Sequence, residues 1–282
     1  MVETTGISVL HVDDDPAFAD LTADMLPEQA GELTVQTATS ASEGLGLLAT
    51  TDFDCIVSDY QMPGQNGIEF LETVREEYPD LPFILYTGRG NEEVASDAIS
   101  AGVTDYMQKA SGTSQYTVLA NRIRNAVGKH RQQERARATR DRLRQIIDML
   151  PQLVFAKNEA GEYLLANEAT ANAYGTTVGD LEGATDADFA NSQEEVEQFR
   201  ADDQAVIESG EPRHIPEESL TTADGDTRLL ETTKIPYDPV ETDDDAVLGV
   251  SRDITERKEQ KKKKICSSGT NMRMNRPSAQ SQ

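Results

Sequence analysis

The sequence predicts a doubly wound α/β domain with a five-stranded parallel sheet, followed by an α+β domain on an antiparallel sheet. Three observations predict it. From residue 6 to residue 127, apolar runs of strand length alternate with amphipathic stretches of helix length. Residues 145–257 instead carry short alternating segments punctuated by Asp- and Gly-bearing turns. Charge reverses between the blocks: residues 1–121 hold 21 acidic and 3 basic side chains, 122–144 hold 2 and 9, 145–257 hold 27 and 7, and 258–282 hold 1 and 7. The expected organisation is a first domain over 1–128, a basic helical linker over 129–144, a second domain over 145–258 and a disordered basic tail over 259–282.

In the first domain, strands are expected at Ile7 to Val12, Leu33 to Thr37, Cys55 to Ser58, Phe83 to Tyr86 and Thr104 to Met107, with helices near 16–29, 41–50, 67–78, 91–101 and 115–134. The functional crevice of such an open sheet lies beyond the carboxyl ends of its strands. Those positions hold Asp13, Asp14 and Asp15, then Asp59, Thr87 and Lys109. Each has a structural reading as well: Asp15 before Pro16 is a helix N-cap with Pro at N1, Pro63-Gly64 a turn, and Lys109 a solvated lysine. Their joint occurrence at successive strand ends favours a functional site. His11 and Cys55, inside apolar strands, read as core residues.

This segment resembles the receiver domain of two-component response regulators, a flavodoxin-like fold. Val12-Asp13-Asp14-Asp15-Pro16 resembles that family's acidic metal pocket, and Asp59 to Gly67 its phosphoacceptor loop. Thr87-Gly88 resembles its switch hydroxyl, and Tyr106-Met107-Gln108-Lys109 its aromatic switch and lysine. The resemblance implies that Asp59 accepts a phosphoryl group from a phosphohistidine, with Mg2+ held by Asp13, Asp14, Asp59 and the main-chain carbonyl of Gln61. Lys109 would neutralise the transferred phosphoryl group, Thr87 would donate its hydroxyl, and Tyr106 would turn inward as Thr87 moves. The chain departs from the family in having Lys109-Ala110 where Lys-Pro is usual.

Residues 116–150 read as one helical stretch, weakly interrupted at Gly128 and rich in Arg between 131 and 144. A solvated signalling helix fits better than nucleic-acid binding, because no DNA-reading motif accompanies it. In the second domain, Leu150 to Asn158, Gly161 to Asn167 and Gly249 to Lys258 resemble a PAS sensor domain, with Asp253-Ile254-Thr255 as its output junction. The ligand stays open: residues 145–257 contain no cysteine for a flavin adduct, and their lone histidine, His214, fits a structural role better than a haem ligand.

The longest apolar runs fall far short of the ~20 residues of a membrane span, and no leader opens the chain, so a soluble cytoplasmic protein is expected. Two cysteines argue against a disulfide or zinc scaffold. At a formal net charge of -25, self-repulsion is screened well only at high ionic strength, which points to a salt-rich cytoplasm. The two domains together resemble the N-terminal part of a halophilic archaeal receiver–PAS hybrid signalling protein without its kinase module. No kinase catalytic region follows the second domain, so autophosphatase activity is the only enzymatic activity expected; the composition break after Gln260 suggests truncation or a frame change. The reading is a phosphorelay protein served by a separate sensor histidine kinase, with a homodimer through the linker helix and PAS domain left open. The alternatives are a non-phosphorylated ligand-sensing or dimerisation module, or a remnant of a hybrid sensor kinase.

Overall fold

A computed structural model describes the backbone of residues 6–88, 92–190, 192–239 and 245–273, and all of their side chains except those of 92–93 and 265–273. The chain divides into two compact units, residues 1–139 and 140–282. No described helix is long and apolar enough to cross a membrane.

The first unit alternates β1 (Ile7–Val12), α1 (Pro16–Gln29), β2 (Leu33–Ala38), α2 (Ala41–Leu48), β3 (Cys55–Ser58), α3 (Gly67–Glu77), β4 (Phe83–Thr87), α4 (Glu92–Ser100), β5 (Asp105–Gln108) and the first part of α5 (Ser114–Asp148), whose residues from 140 on belong to the second unit. The expected start of the fourth helix, residue 91, lies outside the described residues. All strand pairs are parallel, in the order β2-β1-β3-β4-β5, so the chain reverses its winding between β1 and β3 and opens a crevice at their carboxyl ends. The central strands β1, β3 and β4 are buried almost throughout, which is why they read as continuous apolar runs, whereas the edge strands β2 and β5 are partly exposed and more polar. Val9, Val57, Ile84 and Tyr86 pack under α1 and α5, whereas Leu10, Ile56, Phe83 and Leu85 pack under α2, α3 and α4.

Local chemistry sets the helix starts. Asp15 caps α1, accepting from the Ala17 and Phe18 amides with Pro16 in the first turn. Asn66 caps α3 in a reciprocal box with Glu69. Gly67 is required there: a Cβ on it would lie 2.3 Å from the Asp59 carbonyl oxygen and 2.8 Å from Leu85 Cδ1. The buried face of α5 is Tyr116, Leu119, Ala120, Ile123 and Val127, and Gly128 does not interrupt the helix.

In the second unit, β6 (Leu153–Asn158), β7 (Tyr163–Ala166), β8 (Arg213–Thr221), β9 (Thr227–Tyr237) and β10 (Ala246–Asp253) form an antiparallel sheet in the order β7-β6-β10-β9-β8. Between β7 and β8 come α6 (Glu168–Ala173), α7 (Val178–Leu181), α8 (Asp186–Phe189) and α9 (Gln193–Ser209). Asn167 ties the start of this unit together: its amide donates to the Ile147 and Gln152 carbonyls and its Oδ1 accepts from the Val154 and Thr170 amides. Gly249 faces Phe155 across β10 and β6, and a Cβ there would lie 2.3 Å from the ring. At the end of β10, Ile254 is buried and the Thr255 hydroxyl oxygen accepts from the Leu229 amide, tying the Asp-Ile-Thr junction to β9.

Two expectations are corrected. β8 escaped the sequence pattern because Pro216 and Glu217-Glu218 are poor strand formers; as an edge strand it tolerates the proline, with a register shift between Ile215 and Glu218. The tail expected to be disordered from residue 259 continues instead as α10 (Thr255–Arg273). Its Glu, Gln, Arg and Lys residues are good helix formers, and they outweigh the Ser- and Asn-rich composition that suggested disorder. Residues 274–282 lie outside the described residues.

Candidate functional site

Asp13 and Asp59 each extend the parallel ladder one residue past a strand. The Asp13 amide donates to the Ala38 carbonyl and the Asp59 amide to the Val12 carbonyl, at 3.0 and 2.8 Å. The two carboxylates thereby emerge at the crevice, both buried, beside the exposed Asp14. Oxygens of all three lie within 4.8 Å of one another. Lys109 reaches in from beyond β5, its Nζ 2.6 Å from Asp13 Oδ2 and 3.2 Å from Asp59 Oδ2. Asp59 Oδ1 accepts from the Tyr60 amide at 2.7 Å.

Burial pushes the Asp13 carboxyl up, and the hydrogen bond and charge of Lys109 oppose that rise. His11, fully buried beneath the site, has its pKa lowered to about 4 by desolvation and is neutral at pH 7. Its Nδ1 lies 3.1 Å from the Val57 carbonyl, which can only accept, so Nδ1 carries the hydrogen. This is the core role expected for it, and Cys55 is likewise buried with its thiol pushed up by desolvation.

The remaining candidates gather around this centre. Thr87, the last residue of β4, is buried, and its carbonyl accepts from the Lys109 amide at 2.8 Å. Tyr106 is half-buried against the apolar layer under α2 to α4, and its buried hydroxyl has no hydrogen-bond partner among the described residues. Gln61 is exposed in the loop after Asp59. The Lys109–Ala110 peptide is trans. Three residues that sequence reasoning did not single out also converge here: the rings of Phe18 and Tyr86 lie 4.4 and 5.9 Å from Lys109 Nζ, and Gln115 accepts from the Tyr86 hydroxyl. All three read as ordinary helix or strand positions in the sequence.

The donor set fits a small hard cation. A six-coordinate magnesium ion takes oxygen ligands at about 2.1 Å, so opposite ligands stand about 4.2 Å apart, within the spread of the three carboxylates.

The second unit holds a small cavity with room for about one water, lined in part by Phe155, Tyr174, Phe199, Leu220 and Leu230. Its polar wall is unusual. Lys157 and Lys234 are almost fully buried there; Lys157 pairs with Asp186 and lies 3.6 Å from Asp203, and Lys234 lies 2.6 Å from Asp203. The Tyr163 and Tyr174 hydroxyls donate to Asp186 Oδ1 at 2.6 and 3.0 Å. Glu218 accepts from the Thr232 hydroxyl through Oε2, while its buried Oε1 has no hydrogen-bond partner among the described residues. His214 sits exposed on the edge strand β8, 3.3 Å from the Thr233 hydroxyl oxygen.

Comparison with known proteins agrees with both folds. The family model of the response regulator receiver domain matches residues 9–121, and that of the PAS fold matches residues 147–259. The transcriptional regulatory protein FixJ of Bradyrhizobium diazoefficiens is 31% identical over 116 residues, covering 41% of this chain and 56% of FixJ. The response regulator protein FleR of Pseudomonas aeruginosa is 36% identical over 101 residues, covering 36% of this chain and 21% of FleR. A protein-glutamate methylesterase/protein-glutamine glutaminase of Natronomonas pharaonis is 27% identical over 135 residues, covering 45% of this chain and 38% of that protein. The chain thus spans only about half or less of these relatives. A solved receiver domain protein (CheY-like) from Methanospirillum hungatei is 26% identical, covering 45% of this chain and 98% of its own, with a TM-score of 0.41. On the two family matches and the two sheets, the chain carries a response regulator receiver domain followed by a PAS fold.

Proposed function

We propose that the chain is a phosphorelay protein in which Asp59 takes a phosphoryl group from a phosphohistidine and the result is exchanged with the PAS module. The observation that carries this reading is the convergence of Asp13, Asp59 and Lys109 within 3.2 Å contacts at the switch point of a parallel sheet. Asp59 Oδ2 attacks phosphorus, an O–P bond forms as the P–N bond breaks, and the imidazole leaves with the electron pair. Asp13, Asp14 and Asp59, with the Gln61 main-chain carbonyl, would hold Mg2+, which supplies charge neutralisation at the transferred oxygens. Lys109, against Asp13 and Asp59, supplies a second positive charge for the transferred oxygens. Thr87 donates its hydroxyl to the phosphoryl group, and Tyr106 follows the space that Thr87 leaves.

Under this reading residues 1–128 are the receiver, 129–144 a basic helical linker and 145–258 the PAS module. The phosphodonor is a separate sensor histidine kinase, the setting a salt-rich cytoplasm, and self-association through α5 and the PAS module is a further expectation. The rival reading makes a PAS ligand the input and the receiver a dimerisation platform; Lys157, Lys234 and Glu218, buried in the wall of the PAS cavity, favour it. Phosphoryl uptake from acetyl phosphate with and without a chelator separates the two. Uptake that stops on chelation and returns with Mg2+ supports the relay, whereas no uptake under any metal condition sends the function to the PAS cavity.

A further inference from the structure

The reach of Lys109 is set by a part of the molecule that touches neither carboxylate. Gln115, in the first turn of α5 and buried, turns its side-chain oxygen back toward the β5–α5 loop. There it accepts two hydrogen bonds, from the Tyr86 hydroxyl at 2.5 Å and from the Ala110 amide at 2.9 Å. The amide orientation follows from chemistry, because a backbone N–H can only donate and the Gln115 atom facing it is therefore the oxygen. Burial pushes the Tyr86 phenol up, so it stays protonated and donates as well. Tyr86 immediately precedes Thr87 in β4, and Ala110 immediately follows Lys109. One side-chain oxygen thus joins the end of β4 to the loop that carries the lysine.

A tether is needed at this point. Lysine is a point charge on a flexible stem with about 2 kcal/mol of rotamer entropy, so its ammonium is only as well placed as its backbone. After Lys109 the loop runs through exposed Ala110, Ser111 and Gly112, the last at a φ of +90°. On its amino-terminal side Lys109 is fixed by its own amide on the Thr87 carbonyl. The Gln115 bond fixes the next peptide. The same Tyr86 whose hydroxyl makes the bridge also presents its ring to Lys109 Nζ and packs 5.9 Å from the Phe18 ring, which lies closer to the ammonium.

We propose that Gln115 and Tyr86 are positioning residues that hold Lys109 against Asp13 and Asp59, and so tune phosphoryl transfer at Asp59. The proposal rests on the phosphorelay reading for its consequence, though not for its geometry. Two measurements on the full chain keep these apart. The first is the acylation rate of Lys109 by a small amine-reactive ester in metal-free buffer, followed by peptide mass analysis with exposed Lys129 as internal standard. Gln115→Leu is expected to raise Lys109 reactivity about fivefold, and Tyr86→Phe, which keeps the ring, to raise it by a smaller factor. Unchanged reactivity in both variants overturns the positioning role. The second is the rate of Asp59 phosphorylation by acetyl phosphate. Gln115→Leu is expected to lower the maximal rate about tenfold with half-saturating donor and Mg2+ concentrations unchanged, since a small misplacement of a charge is felt in the transition state. In a Lys109→Ala background the same substitution is expected to do nothing further. An equal fall in both backgrounds means that Gln115 acts through general stability and overturns the proposal. A wild-type chain that takes no phosphoryl group, with Lys109 still unmasked by Gln115→Leu, overturns the phosphorelay reading and leaves the tether standing.

Discussion

Lys109 Nζ lies 2.6 Å from Asp13 Oδ2, a pairing that spans 96 residues of sequence. It brings a cation to two carboxylates that are otherwise crowded together in a buried crevice, and it makes the site's stability depend on what balances that charge. Lys109→Met leaves Asp13 and Asp59 uncompensated and is expected to destabilise the receiver by about 2 kcal/mol in metal-free buffer. Mg2+ is then expected to stabilise the variant more than the wild type, because the ion takes over the lost charge. Denaturant melts with and without Mg2+ check this, and equal metal stabilisation of both proteins contradicts it.

In the PAS module, Asp186 is held below the ordinary carboxylate value of 3.8: burial opposes ionisation, but the Lys157 charge and the Lys157, Tyr163 and Tyr174 hydrogen bonds outweigh it. A depressed folded-state value contributes stability above 3.8 that is lost as pH falls through the folded value. Asp186→Asn is therefore expected to cost about 3 kcal/mol at pH 7, with the gap to wild type closing as pH drops below 3.8. Glu218 has the opposite sign. Burial chiefly holds its carboxyl above 4.5, so Glu218→Gln is expected to stabilise the module at neutral pH and to lose that advantage as pH falls toward 4.5. Unfolding midpoints from pH 3 to pH 7 read both effects, and gaps independent of pH contradict the assignment.

Gly67→Ala drives a methyl carbon to within 2.3 Å of the Asp59 carbonyl oxygen, which is backbone and cannot yield cheaply. The expected result is a loss of about 2 kcal/mol or more together with slowed phosphorylation, since the same shift moves Asp59. A stable variant with wild-type kinetics contradicts the packing described.

The buried Tyr106 hydroxyl has no hydrogen-bond partner among the described residues, a cost of about 1–3 kcal/mol. Tyr106→Phe is expected to raise stability by about 1 kcal/mol without changing the rate of phosphorylation. Destabilisation would mean that the hydroxyl is satisfied.

The central strands of the receiver were legible because each is an apolar run buried almost throughout, and the site because strand ends display their polar residues in order: Asp13, Asp59, Thr87, Lys109. What was not legible is what couples distant residues. Lys157, Asp186, Asp203, Glu218 and Lys234 lie fifteen or more residues apart and look like surface charges until the fold buries them together. Gln115 and Tyr86 likewise match an ordinary helix turn and an ordinary core strand, and only tertiary contact reveals the bridge to Ala110. β8 was hidden by its own composition, because an edge strand has less need of the β-branched residues that announce a central one.

The central claim is that Asp59 is a phosphoacceptor, and intact-mass analysis at high salt with Mg2+ and a small phosphodonor tests it most directly. The account predicts a single phosphoryl adduct on the wild-type chain that disappears in Asp59→Asn. An adduct that persists in the variant, or none on the wild type, contradicts it.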